Sequence, residues 1–457
     1  MEEILPKQDE TIAAKRINRL SKKFAEVRHK GFLDNAWWRN DIVEFSGIAL
    51  IMSLNFYLIL PLFSREVDSG SLFSGPVIPY ISRLVSSIAQ VPIPYAIHLT
   101  YVFIFLFFPL SFFILIQLLT GRRLVAIISM LFATLPVFIF AKIRIIGGFL
   151  GSDGPHIASL SFMPMAVYSL ISFLRKGGVK NLLVVSISSA MILLISPFGF
   201  LAYFIFAVLA TFSEMLLGQG RLKISRFVGV FIITFGLASF WYNPAFIVWM
   251  VLGPVGAETR TIIINFIPIS FFVLPIVGTF GYLLFDRKTN LQPVFLACFW
   301  TITFLLIILM GKRNFIALGP VRYLPELGIS VAFLLGIGVV SLIDFLKSPK
   351  FKIIPWLNKP ALSNPLITLA LILLVIAIIA LKSNLDIETK EAANSGNNIE
   401  KSRLWAVKDS FNGSASLIGY AVTILTVTTL AFFAIMVRKG KKNSYQAIRQ
   451  LSHETKK

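Results

Sequence analysis

Charge is scarce in this sequence, and acidic charge scarcest of all. Of 457 residues, 43 are Lys or Arg and 22 are Asp or Glu, so that 14% are charged where a soluble domain carries about a quarter. This balance excludes an ordinary water-soluble core. Cysteine is nearly missing too. The single Cys298 lies inside an apolar run, which excludes a disulfide framework and reads as a small buried hydrophobe. The chain also lacks the pattern of a cleavable signal peptide, because some forty polar and basic residues precede the first apolar run. The first span is therefore expected to act as its own insertion signal.

What is present is apolar sequence. Hydrophobic residues make up 56% of the chain, in runs long enough to cross a bilayer. Spans are expected near 42–63, 92–119, 124–141, 157–174, 181–197, 199–217, 227–250, 264–285, 291–310, 329–346, 364–381 and 417–437. The fold class is thus an all-α polytopic membrane protein of about twelve transmembrane helices. Pro197 separates the fifth span from the sixth, and the backbone is expected to turn at Ser196-Pro197-Phe198-Gly199.

The net charge of +21 follows the loops. With the N-terminus inside, segments 1–41, 120–123, 175–180, 218–226, 286–290, 347–363 and 438–457 hold 30 of the 43 Lys and Arg. The positive-inside rule then places both termini in the cytoplasm, and the basic balance needs no nucleic-acid partner. In segment 1–41, Ile17, Leu20, Phe24 and Val27 recur at helical spacing among lysines and arginines, as in a basic amphipathic helix on anionic headgroups; a solvated basic tail is the simpler alternative. Trp37 and Trp38 suit an interfacial anchor. The last span is followed by a basic cytoplasmic tail, 438–457. The protein is expected in the cell membrane, as a multi-pass integral protein among lipid.

A charged side chain inside a membrane is expensive and marks function by default. The middle of each expected span is almost free of them. Glu44, Glu214, Asp286 and Asp344 fall at cytoplasmic ends, where they are expected to reach water, leaving His98 as the one ionisable group expected to be buried. A lone histidine there is more often a structural hydrogen-bonding partner.

The outer loops offer more. Glu66 and Asp68 follow the first span, within loop 64–91. Asp153 and His156 lie in Gly151-Ser152-Asp153-Gly154-Pro155-His156, at the end of loop 142–156, where Asp153 can equally cap the helix that begins near Pro155. Arg322 stands in Gly319-Pro320-Val321-Arg322-Tyr323-Leu324-Pro325-Glu326; its guanidinium can grip a phosphate or simply snorkel to lipid headgroups. Lys142, Arg144, Lys312 and Arg313 add positive charge to the same face. The polar stretch 382–416, between the two spans of region 347–437, reads as a poorly ordered loop or small cap, and its Asn412-Gly413-Ser414 is a sequon of low specificity.

In order, these features resemble the GT-C superfamily of membrane glycosyltransferases over about residues 42–346. The resemblance rests on Glu66 and Asp68, Gly75-Pro76-Val77-Ile78-Pro79-Tyr80, Thr120-Gly121-Arg122-Arg123, Pro136, Asp153, Arg175-Lys176-Gly177-Gly178, Arg322-Tyr323-Leu324-Pro325 and Gly336-Ile337-Gly338. It implies a GT-C-like helical bundle that transfers a sugar from a polyprenyl-phosphate-linked donor to an acceptor on the outer face. Asp68 is then the expected general base, with Asp153 as its helper, a metal ligand or the base itself. Arg322 would stabilise the leaving phosphate, and Glu66, His156 and Tyr323 would join it in binding substrate. Mg²⁺ or Mn²⁺ on Asp68 and Asp153 is compatible with these residues but not required by them.

Two alternatives come from other classes. A secondary transporter of major-facilitator architecture also has twelve spans with both ends inside and a basic turn after the second, although Leu118-Leu119-Thr120-Gly121 lacks the aspartate expected before that turn. A noncatalytic GT-C-like subunit would keep the fold without the chemistry.

Overall fold

Most described residues of the apolar runs are helical, and several of the breaks between helices sit at proline or glycine. A computed structural model of the chain describes residues 42–59, 75–135, 141–144, 154–243, 276–281, 291–310, 323–346 and 414–454, with six single helical positions between 245 and 264. Among the described residues there is no strand. The chain divides into two units, Met1–Leu50 and Ile51–Lys457.

The helices are α1 (Ile42–Ile59), α2 (Val77–Ala89), α3 (Ile93–Thr120), α4 (Arg123–Thr134), α5 (Gly154–Lys176), α6 (Val179–Ile195), α7 (Pro197–Leu216), α8 (Gly220–Ala238), α9 (Gln292–Met310), α10 (Leu324–Leu346) and α11 (Ser414–Glu454). Six of them, α3, α5, α7, α9, α10 and α11, are long and apolar enough to cross a membrane. α1, α4 and α6 contain shorter apolar stretches. α2 is a shorter apolar helix as well, with Ile78 and Ser82 buried while Tyr80, Leu84 and Ile88 are exposed one turn apart.

The turns obey local chemistry. α3 stops where Gly121 takes φ 65°, a left-handed conformation that a side chain resists, and returns its N–H to the Gln117 carbonyl. Only Ser196 separates α6 from α7: it is extended, its hydroxyl accepts the Gly199 N–H at 3.3 Å, and Pro197 opens α7 where no N–H is needed. α4 ends at Thr134 rather than near 141. Leu135, which precedes Pro136, is extended because a proline pushes its predecessor out of the helical region.

α5 is the hub of the second unit and packs on α3, α6, α7 and α8, while α4 packs on α10 and α10 on α9. Pro164 deprives α5 of one backbone bond, and in that turn the Ser161 carbonyl lies 2.8 Å from the Ser111 hydroxyl of α3. At Gly199 a Cβ would overlap the Ser159 hydroxyl, so the first turns of α7 and α5 can approach this closely only with glycine there. Phe206, Trp300, Phe304 and Phe333 interlock α7, α9 and α10. α11 is the outlier, with 6% of its apolar window buried. It packs on α8 and, less extensively, on α6, and at the α8 seam the Thr423 hydroxyl donates to the Gly236 carbonyl at 3.0 Å.

Candidate functional site

α5 and α10 both begin with a proline in the first turn, Pro155 and Pro325, where the missing N–H is no loss. Their packing brings these two beginnings together. His156 Nε2 lies 2.6 Å from Glu326 Oε1, across 170 residues of sequence, and both side chains are fully buried. A helix N-terminus favours an anion, which suits Glu326. Tyr323 is buried just ahead of it, its ring 6.4 Å from that of His156 and 6.3 Å from Phe304. The Ser159 hydroxyl donates to the His156 carbonyl, and Ser330 does the same for Glu326 at 2.9 Å, so the backbone around the pair is held by neighbouring side chains.

The uncommitted atom is Glu326 Oε2, which is buried with no hydrogen-bond partner. Buried polar atoms are nearly always satisfied, and leaving one bare costs about 1–3 kcal/mol. A carboxylate with one oxygen tied to an imidazole and the other free can accept a proton from a bound hydroxyl, with the histidine fixing its orientation.

A second buried carboxylate, at the opposite end of α5, shows what saturation looks like. Glu214 of α7 was expected to reach water but is 1% exposed. Arg175 of α5 grips its Oε1 through Nη2 at 2.6 Å and Nε at 3.0 Å, and Gln292 of α9 donates to the same oxygen at 2.7 Å. Lys223 of α8 approaches Oε2 at 3.5 Å and donates to the Glu214 carbonyl. Burial pulls the Lys223 ammonium below the usual lysine range, with Glu214 opposing that shift. Arg226 caps α5 by donating to the Leu174 carbonyl at 2.7 Å. Four helix ends are clamped here with no acceptor of Glu214 left over.

Of the residues singled out from sequence, His156 and Tyr323 come together. Glu66, Asp68, Asp153 and Arg322 lie outside the described residues, as do 1–41, Lys312, Arg313, the run 364–381 and nearly all of 382–416. Asp153 precedes His156 by three positions and Arg322 adjoins Tyr323. His98 lies on α3, and its side chain is outside the described set. Sequence reasoning gave Glu326 no role, although an acid in the first turn of an apolar helix was the available signal. Arg144, expected on a surface, is buried against Phe105 and Phe108. Among the described residues no three His, Cys, Asp or Glu side chains converge.

Comparison with protein families, curated proteins and solved structures found no match for the chain.

Proposed function

We propose that the protein is a multi-pass cell-membrane glycosyltransferase of the GT-C type, with about twelve spans and both termini in the cytoplasm. It would take a sugar from a polyprenyl-phosphate-linked donor and pass it to an acceptor hydroxyl at the outer face. The length and apolar character of six helices and the basic charge of the segments between apolar runs support the membrane part of this reading.

The observation that carries the chemical part is the buried Glu326–His156 pair with its free Oε2, beside Tyr323 and next along the chain to Asp153 and Arg322. In this mechanism the acceptor oxygen attacks the anomeric carbon and the bond from that carbon to the phosphate oxygen breaks. The hydroxyl proton passes to a carboxylate: Asp68 or Asp153, with Glu326 now a third candidate. The lipid phosphate leaves as an anion, its charge met by the Arg322 guanidinium. His156 keeps Glu326 oriented, and Tyr323 walls the pair from water.

The test is turnover of polyprenyl-phosphate sugars by the protein in nanodiscs. Replacing the operative base, through Asp68→Asn, Asp153→Asn or Glu326→Gln, should lower the rate by about 10²–10⁴. Full turnover in all three variants would sink the mechanism. Saturable binding without turnover would identify a noncatalytic subunit instead.

One observation favours a second reading. An ionisable pair buried between two apolar helices is also how a proton-coupled transporter carries its coupling charge. That reading predicts proton flux in liposomes that is lost in Glu326→Gln, with no binding of lipid-linked sugars.

A further inference from the structure

Arg144 is the least satisfied group among the described residues. It closes the helical turn 141–144, is 1% exposed, and has its Nε, Nη1 and Nη2 all buried without a hydrogen-bond partner. Its guanidinium carbon sits 3.6 Å from the centroid of Phe108 and 4.4 Å from that of Phe105, near the middle of α3. The phenyl rings offset part of the cost of burying the charge. They supply no acceptor for the guanidinium's five N–H donors, and an isolated buried cation is among the costliest things a fold can hold.

The same chain treats its other inward-facing arginines differently. Arg175 donates to Glu214 and Gln292, and Arg226 to the carbonyls that end α5. Arg144 thus has the charge and donors of a binding group but no internal partner.

We propose that Arg144 is an anion-binding residue whose ligand is a phosphate-class oxyanion, received between the turn 141–144 and the Phe105/Phe108 face of α3. The planar fork of donors matches two oxygens of such a group side by side. The apolar wall suits a phosphate carried on a lipid, and a free phosphate would meet the same donors. Neither His156, Glu326 nor Tyr323 takes part, so the site stands whether or not the transferase reading does.

The experiment uses the full chain in phosphatidylcholine nanodiscs, titrated with phosphatidic acid in one arm and inorganic phosphate in the other. Wild type is compared with Arg144→Gln, Arg144→Lys and, as a control for surface charge, Arg83→Gln on the exposed part of α2. Arg144→Gln should bind at least about tenfold more weakly, the loss expected for a charge-assisted hydrogen-bond pair. Arg144→Lys should fall in between, because it keeps the charge and loses the fork, and Arg83→Gln should match wild type. Saturation by phosphatidic acid alone assigns the site to a lipid phosphate, and saturation by both probes assigns it to the phosphate group itself. Wild-type affinity in Arg144→Gln for both probes overturns the proposal. If Arg144→Gln does not fold, wild-type affinity in Arg144→Lys overturns it equally.

Discussion

Among the described residues two carboxylates are buried, at opposite ends of α5, and they differ in what is left over. Glu214 has every acceptor engaged by Arg175, Gln292 and Lys223, each from a different helix. Glu326 has one oxygen on His156 and the other on nothing. The first arrangement spends its chemistry on holding helix ends together, and the second keeps some in reserve. Burial of charge therefore does not by itself mark a functional group. What sets Glu326 apart from Glu214 is the unsatisfied oxygen within the burial.

The comparison can be broken most sharply at Glu214. Glu214→Ala leaves Arg175 and Lys223 facing each other without their counter-charge, and should destabilise the protein by about 3–5 kcal/mol in thermal or denaturant unfolding. A loss under about 1 kcal/mol would mean the clamp is not structural. Gly199→Ala comes next. It forces a methyl group onto Ser159 beneath His156 and should cost about 1–3 kcal/mol while also weakening function, since the pair moves with its backbone. Arg175→Lys keeps the charge but loses the double grip on Glu214, and about 1–2 kcal/mol should disappear from stability with function intact. The smallest stability effect is expected for Glu326→Gln, at about 1 kcal/mol or less, because the substituted oxygen has no partner to lose. Turnover should nonetheless fall. A variant as unstable as Glu214→Ala would place Glu326 in the same structural class as Glu214.

Much of the helical order was legible in the sequence, for reasons that differ from helix to helix. The break between α6 and α7 was readable because proline lacks an N–H, and the end of α3 because glycine takes the left-handed cap at least cost. The start of α8 was not. Gly220 begins the helix well ahead of the apolar run near 227, since hydropathy reports which residues prefer lipid and not where a helix starts, and the intervening Arg221, Lys223 and Arg226 are helical as well. α10 likewise begins at Leu324 rather than 329, with the polar Glu326 inside its first turn. At the site, His156 and Tyr323 could be singled out one at a time as polar residues bordering apolar runs. That His156 meets Glu326, and that Glu214 is roofed by three donors, depends on which helices pack together, and periodicity along one chain carries no record of that. Arg144 misled for the same reason, because an arginine after an apolar run reads as a surface charge until the neighbouring helix is in place.

α11 has a mechanical consequence. Its 41 residues run as one helix about 60 Å long, while the apolar window Leu417–Val437 accounts for about 30 Å, the thickness of a bilayer's hydrocarbon core. The remaining turns, through Arg438, Lys439, Lys441 and Lys442, continue without a break to Glu454. If the apolar window lies within a bilayer, the helix runs on past it for about 25 Å of rise, a mast whose reach into water is set by its tilt.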